Sequence, residues 1–268
     1  MRQARRALAT MVFALTVGCT GQVSPVQPTA EVMQHVSFQY TSDTQPFTEL
    51  LMLDDLATDS KYSFDIQQGS LNNILEADKP VYFISHHNPR DNDLPLWSMP
   101  LAQDGIAIIT HPNNPITTIT RQDLQGIYRG FITNWSELGG DDRAIIFYNR
   151  ESEAELQLEF NRLVMGLQQI SPNAQILASN ELMLEGVMQD EAAIGYIPIS
   201  LLQSTVNTLA IEGVMPLIIH ITDNTYPLRM TIYAIGQTAP ESIYRTLLIN
   251  LQTLNYDALN LNYASLPR

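Results

Sequence analysis

The sequence predicts an α/β fold built on a mostly parallel sheet. Short apolar runs alternate with helical patterns from residue 36 onward, in β-α-β-α-β order. Two of these runs, "PVYFIS" and "GIAIIT", are continuously apolar, as strands covered on both faces are. The chain has 268 residues and is 45% hydrophobic, enough for one large core or two modest ones.

"VSFQY" (36–40) alternates apolar and polar residues, the period of a strand. "SDTQPFTELLMLDDLA" then supplies turn residues, Pro46 near a helix start, and Phe47, Leu50 and Leu51 at helical spacing. "KYSFDI" reads as a strand, "SLNNILE" as a short helix capped by Ser70, and "PVYFIS" (80–85) as a buried strand. "GIAIIT" (105–110) is a further buried strand, closed by the turn cluster "HPNNP". Thr120 and Asp123 open a helix with capping-box spacing. "AIIFYN" is the next strand, followed by a helix whose front is "RESEAELQLEF" (150–160). "NELMLEGVM" is a helix with Asn180 as its cap, and "AIGYIP" is a strand. "PLIIHI" and "LRMTIYAIG" read as two more strands. "ESIYRTLLINLQTL" is a closing amphipathic helix with Ile243, Leu247, Leu251 and Leu254 on one face. There is no internal repeat.

The N-terminus is read as a leader. Arg2, Arg5 and Arg6 precede an apolar stretch of eleven residues (7–17), too short to span a bilayer. Gly18 and Cys19, the sole cysteine, then resemble the end of a bacterial lipobox. The expectation is a signal peptide over 1–18, lipidation at Cys19 and a flexible Pro/Thr/Gln-rich tether over 19–34. The alternative is an ordinary cleaved leader carrying a stray cysteine. No later stretch approaches 18 apolar residues.

Charge narrows the partners. Asp and Glu number 28 against 14 Lys and Arg, for a formal net charge of −14. Lys61 and Lys79 are the only lysines, and no basic stripe exists for a polyanion, so nucleic acid is not an expected partner. Enzyme chemistry is not expected either. Adjacent His86 and His87 would point to opposite faces of a strand, which is poor chelating geometry, and His111 stands apart. There is no P-loop and no G-x-S-x-G, and the one cysteine belongs to the leader. No cofactor is implied, and nothing signals more than a monomer.

"PLAQDGIAIITHPNNPITTITRQDLQGIYRGFITNWSELGG" (100–140) resembles the phosphate-binding protein family of ABC transporters, most specifically in "GIYRGFITNW". "AAIGYIP" and "YPLRMTIYAI" are similar to later segments of the same pattern. The resemblance implies two α/β lobes closing on a ligand. The first would comprise 35–105 plus 197–268 and the second 106–196, joined by two crossover strands. It also implies an extracytoplasmic, lipid-anchored location, an ABC permease as partner and a small anion such as phosphate as ligand.

By the same resemblance the ligand contacts fall on Ser42, Asp43 and Thr44 in the first turn, Gly69 and Ser70 in the second, and Arg150 with Ser152 at the third. Arg150 keeps the family arginine. The Ser-Gly-Thr that follows it in the family falls on Ala154, Glu155 and Leu156, so both hydroxyls are gone and a carboxylate replaces the glycine. The family aspartate falls near Val81, and its Ser-Ser-Arg on Ser85, His86 and His87. Ser152 and Glu155 themselves spell an S-x-x-E capping box. The expectation is thus a phosphate site partly lost, its helix front satisfied by the protein's own acids. Three roles follow: uptake of an oxyanion, binding of a different solute, or a fold kept as a surface interaction or sensing module.

Overall fold

The computed structural model describes residues 34–52, 62–89 and 94–267. The leader, Cys19 and the tether up to residue 33 lie outside the described residues, and Gln34 already belongs to the first strand. Among the described residues eleven strands and seven α-helices follow one another in the mixed α/β order expected. The strands are β1 (Gln34–Tyr40), β2 (Tyr62–Gln68), β3 (Tyr82–Ser85), β4 (Trp97–Thr110), β5 (Thr118–Ile119), β6 (Ile146–Arg150), β7 (Gln175–Leu177), β8 (Ala193–Pro198), β9 (Asn207–Thr208), β10 (Ala210–Ile211) and β11 (Arg229–Gly236). The helices are α1 (Gln45–Glu49), α2 (Leu71–Glu76), α3 (Arg121–Tyr128), α4 (Glu155–Phe160), α5 (Asn180–Gln189), α6 (Ile218–Thr222) and α7 (Ser242–Thr253). No helix among the described residues is long and apolar enough to cross a membrane.

The main sheet runs β2-β1-β3-β11-β4-β8-β6-β7. Strands β2, β1 and β3 are parallel, as are β8, β6 and β7. Antiparallel pairs occur where β11 and β4 join the two parallel sets. Strand β4 is the long connector. Its first part pairs with β11, and residues 106–110 pair with β8. At the change of partner stands Gly105, where a Cβ would come within 2.7 Å of Ile199 and 2.9 Å of Ile221. Only glycine lets the strand pass that close.

Two main cores flank this connector. One packs Val36, Phe38, Phe47, Leu101, Ile232 and Leu248, joining the N-terminal strands to α7. The other packs Ile108, Trp135, Phe160, Val187, Tyr196 and Leu228. Val206, Leu209, Ile221 and Met230 belong to this second core, so the segment between β8 and β11 packs with 106–198.

One element differs in type. "PLIIHI" is a strand by its apolar run but forms helix α6. A mainly apolar run of six residues does not separate the two forms. Here Pro216, which opens the run, cannot donate to a ladder, and of the residues that follow it only Ile221 is buried, while Leu217 and Ile219 are exposed.

Candidate functional site

The carboxyl ends of β1, β2, β3 and β6 converge on one cavity of about 420 Å³. Crevices at that end of parallel strands are where α/β sheets usually take ligands. Of the predicted residues, Ser42, Asp43, Gly69, Ser70 and Arg150 line it. Thr44 does not. It is buried, and its hydroxyl donates to the Ile84 carbonyl at 2.8 Å, pinning the first turn to β3. Ser152 is exposed and also stands outside the cavity lining.

Local sequence explains the two turns of the first lobe. Thr44 N–H donates to Thr41 O at 3.0 Å, closing the turn after β1. Gly69 N–H donates to Tyr40 O at 3.0 Å, and a Cβ on Gly69 would lie 2.3 Å from the Gln39 side chain. Ser70 is the N-cap of α2, as expected, and its N–H donates to Asn73 Oδ1 at 2.9 Å.

The front of α4 departs from expectation. The Ser152–Glu155 capping box does not form. Ala154 is the N-cap, without a side-chain bond, and Glu155 turns away from its own helix. Its carboxylate crosses the cleft. It accepts from Ser85 Oγ at 2.5 Å, Thr41 Oγ1 at 3.0 Å and the His86 N–H at 3.2 Å. Three donors held by β1 and β3 outcompete a local bond to an exposed serine, because a buried carboxylate needs full satisfaction. Burial still pushes Glu155 above its ordinary carboxyl pKa. The Ser85 hydrogen bond and the nearby His86 oppose this, and the charge of Asp43 adds to it.

Asp43 makes the reciprocal crossing. Its Oδ1 accepts from Arg150 Nη1 at 3.0 Å and Asn180 Nδ2 at 2.8 Å. Its Oδ2 accepts from the Leu156 N–H at 3.3 Å. Asp43 and Arg150 are each 2% exposed, so this is a fully desolvated ion pair. Arg150 Nη2 also donates to Ala178 O at 3.4 Å, while Nε has no partner among the described residues. Asn180 was read as the cap of α5. That cap is Ser179, whose side chain accepts from Leu182 N–H, and Asn180 faces inward onto Asp43.

Two histidines follow β3, and His87 lines the cavity. His86 is buried, with Nε2 3.5 Å from Asp104 Oδ2, a distance that makes an ion pair rather than a well-formed hydrogen bond. Burial alone would lower its pKa. The contact with Asp104, together with the charges of Asp104, Glu155 and Asp43, carries the net shift upward. Asp104 is itself held by Gly105 N–H at 2.7 Å and Ser200 Oγ at 2.6 Å. His87 faces Glu159 at 3.4 Å. Burial would raise Glu159, but hydrogen bonds from His87 and Arg162 outweigh it and lower the net value. Among the described residues no group of three or more His, Cys, Asp or Glu is placed to hold a metal.

Sequence reasoning missed Thr41, Asn180 and the true partners of Glu155. Each sits where a strand ends or a helix begins, but what engages it lies across the cleft, at separations of 114 and 137 residues for Thr41–Glu155 and Asn180–Asp43. Ser85 was placed only through the family pattern.

The PBP superfamily domain matches residues 75–248, well over half of the chain. The chain belongs to the PBP superfamily. Among curated proteins, the phosphate-binding protein PstS of Borreliella burgdorferi is 26% identical over 163 residues, covering 57% of this chain and 58% of that protein. The Bacillus subtilis protein of the same name is 29% identical over 126 residues, 46% of this chain and 41% of its own. The chain thus matches about half the length of these relatives. A solved structure from Clostridium perfringens, described as a phosphate ABC transporter substrate-binding protein with bound phosphate, superposes with a TM-score of 0.77 at 24% identity. It covers 87% of this chain and 100% of that one. An ABC-type phosphate transport receptor from Vibrio cholerae gives 0.72 at 23% identity, covering 87% of this chain and 100% of its own. The expected two-lobed fold and the expected likeness to phosphate-binding proteins of ABC transporters both hold for this PBP-superfamily chain.

Proposed function

We propose that this protein is an extracytoplasmic solute-binding lipoprotein of an ABC-type uptake system, derived from the phosphate-binding branch, with its phosphate seat partly lost. One observation carries the loss. Arg150, Asn180 and the Leu156 N–H, the donors an oxyanion would use, are already engaged by the Asp43 carboxylate. A free phosphate has to displace a buried, charge-assisted pair before it gains those bonds, and Glu151 and Glu153 repel it from the rim of the same cavity. In this reading the lipid anchor at Cys19 rests on the sequence of the leader, and a permease partner on the likeness to transport proteins. In this reading the two lobes are 35–105 plus 197–268 and 106–196, with β4 passing from one to the other near Gly105. Ser42 lines the same cavity, the Gly69 N–H and Ser70 are already engaged by Tyr40 O and Asn73 Oδ1, and Arg150 is the anchor a solute would compete for.

The same self-satisfied cleft favours the second reading, in which the fold serves as a surface interaction or sensing module, or takes a solute other than phosphate.

The test is thermal unfolding with and without millimolar phosphate. A ligand present at 1,000 times its dissociation constant adds about 4 kcal/mol of stability. The expected result is no shift. A shift of the size of a tight ligand, with Asp43 displaced from Arg150 in a crystal, overturns the loss of the phosphate seat.

A further inference from the structure

Each cleft carboxylate is held by donors from the opposite side. Asp43 follows β1, and its donors come from β6, α4 and α5. Glu155 opens α4, and its donors, Thr41, Ser85 and the His86 N–H, come from the ends of β1 and β3. The two charges lie close enough for Asp43 to raise the carboxyl pKa of Glu155. Six donors therefore surround two adjacent negative charges, and these bonds tie the two sides of the cleft together. In a hinged binding protein, bridging the two sides is the work of the ligand, since only a group that touches both can hold them closed.

We propose that Asp43 and Glu155 are the specificity determinants of this cleft: together they replace a bound divalent oxyanion, so that the cleft closes without ligand and removing both carboxylates restores oxyanion binding. This rests on the solute-binding reading above and extends it. With both acids gone, Arg150 is a buried cation without a counter-ion, and its Nε already lacks a partner. Asn180 Nδ2 and two backbone N–H groups lose their acceptors, and Thr41 and Ser85 lose their partner across the cleft, keeping only Thr44 Oγ1 and His87 O on their own side. Leaving such groups unmet is costly, and a tetrahedral dianion with four acceptor oxygens meets both needs at once. Glu151 and Glu153 stay, but both are exposed, so water and salt screen their repulsion.

The experiment compares full-length protein with the pair Asp43→Ser/Glu155→Ser and with the isosteric pair Asp43→Asn/Glu155→Gln. Inorganic phosphate is the probe, read by calorimetry and by unfolding temperature, with circular dichroism to establish folding. The unchanged protein is expected to bind no phosphate at about 1 mM, and the serine pair to gain at least about 100-fold in affinity. Small-angle scattering should show the serine pair contracting on phosphate addition, and no change in the original, which a purely structural role for the acids does not predict. A serine pair that folds only when phosphate is present also supports the proposal. Folded variants that ignore phosphate overturn it while leaving the solute-binding reading intact. So do variants that stay unfolded in both forms with phosphate present. Tight phosphate binding by the unchanged protein overturns this proposal together with the loss of the phosphate seat, and leaves solute binding itself standing.

Discussion

The loop around Trp135 and the front of α4 lie fifteen to twenty residues apart and satisfy their polar groups in opposite ways. At Trp135 the solution is local. Asn134 Oδ1 accepts from the Ser136 N–H at 2.9 Å, Glu137 Oε1 accepts from the Asn134 N–H at 2.9 Å, and Gly139 ends the turn at φ +87°. The indole then buries itself, donating from Nε1 to Ala192 O at 2.8 Å. At α4 the local capping sequence is present but unused. Glu155 bonds to β1 and β3, and the Leu156 N–H is met by Asp43. The difference teaches that a capping motif acts where its side chains face water, and yields where a carboxylate is drawn into a desolvated cleft with better donors.

The largest effect that can break this comparison is Asp43→Ala. If the front of α4 depends on a residue 113 positions away, the substitution strands a buried arginine and should cost about 3–5 kcal/mol in urea unfolding. A cost near that of an average surface change would mean that α4 holds itself. Next comes pH. The folded state keeps the Glu155 carboxyl above its ordinary 4.5, so its ionisation weakens the fold as pH rises past that value. It also keeps His86 above its ordinary 6.5, so the stability His86 contributes is full below 6.5 and lost as pH rises through the folded-state value. Glu159 runs the other way. Its contribution is present above 4.5 and is lost as pH falls through its lowered value. The melting temperature should therefore be higher at about pH 6 than at about pH 8, with His86→Gln flattening the slope. A rise toward pH 8 would show that the cross-cleft cluster does not govern stability. The smallest effects form a pair. Asn134→Ala should cost about 1 kcal/mol as a working cap, and Ser152→Ala within about 0.5 kcal/mol as an idle one. Equal costs would erase the contrast.

Most of the scaffold was legible because its signals are local. The continuous run at residues 105–110 is the buried end of β4, and "AIGYIP" is β8. Thr120 caps α3 through the Asp123 N–H at 3.0 Å, as its spacing indicates. The site was legible only in part. Five of the predicted residues line the cavity, because strand ends carry turn residues with a recognisable grammar. Thr44 and Ser152 share that grammar and serve elsewhere, since an identical hydroxyl can face a neighbouring carbonyl, solvent or a cleft. "PLIIHI" failed for a related reason: so short a mainly apolar run carries no readable period.

By itself the sequence determined the α/β order, the strands buried on both faces, the turns and the concentration of acids before α4. Periodicity, β-branching, glycine and capping spacing act within a few residues and can be read in one pass. Only the tertiary structure decided that Asp43 answers Arg150, that Glu155 answers Ser85 and Thr41, and that the segment after β8 packs with the second core. Those choices turn on which donor lies nearest once water has been excluded. Exclusion of water is a property of the assembled lobes that no short stretch of chain contains.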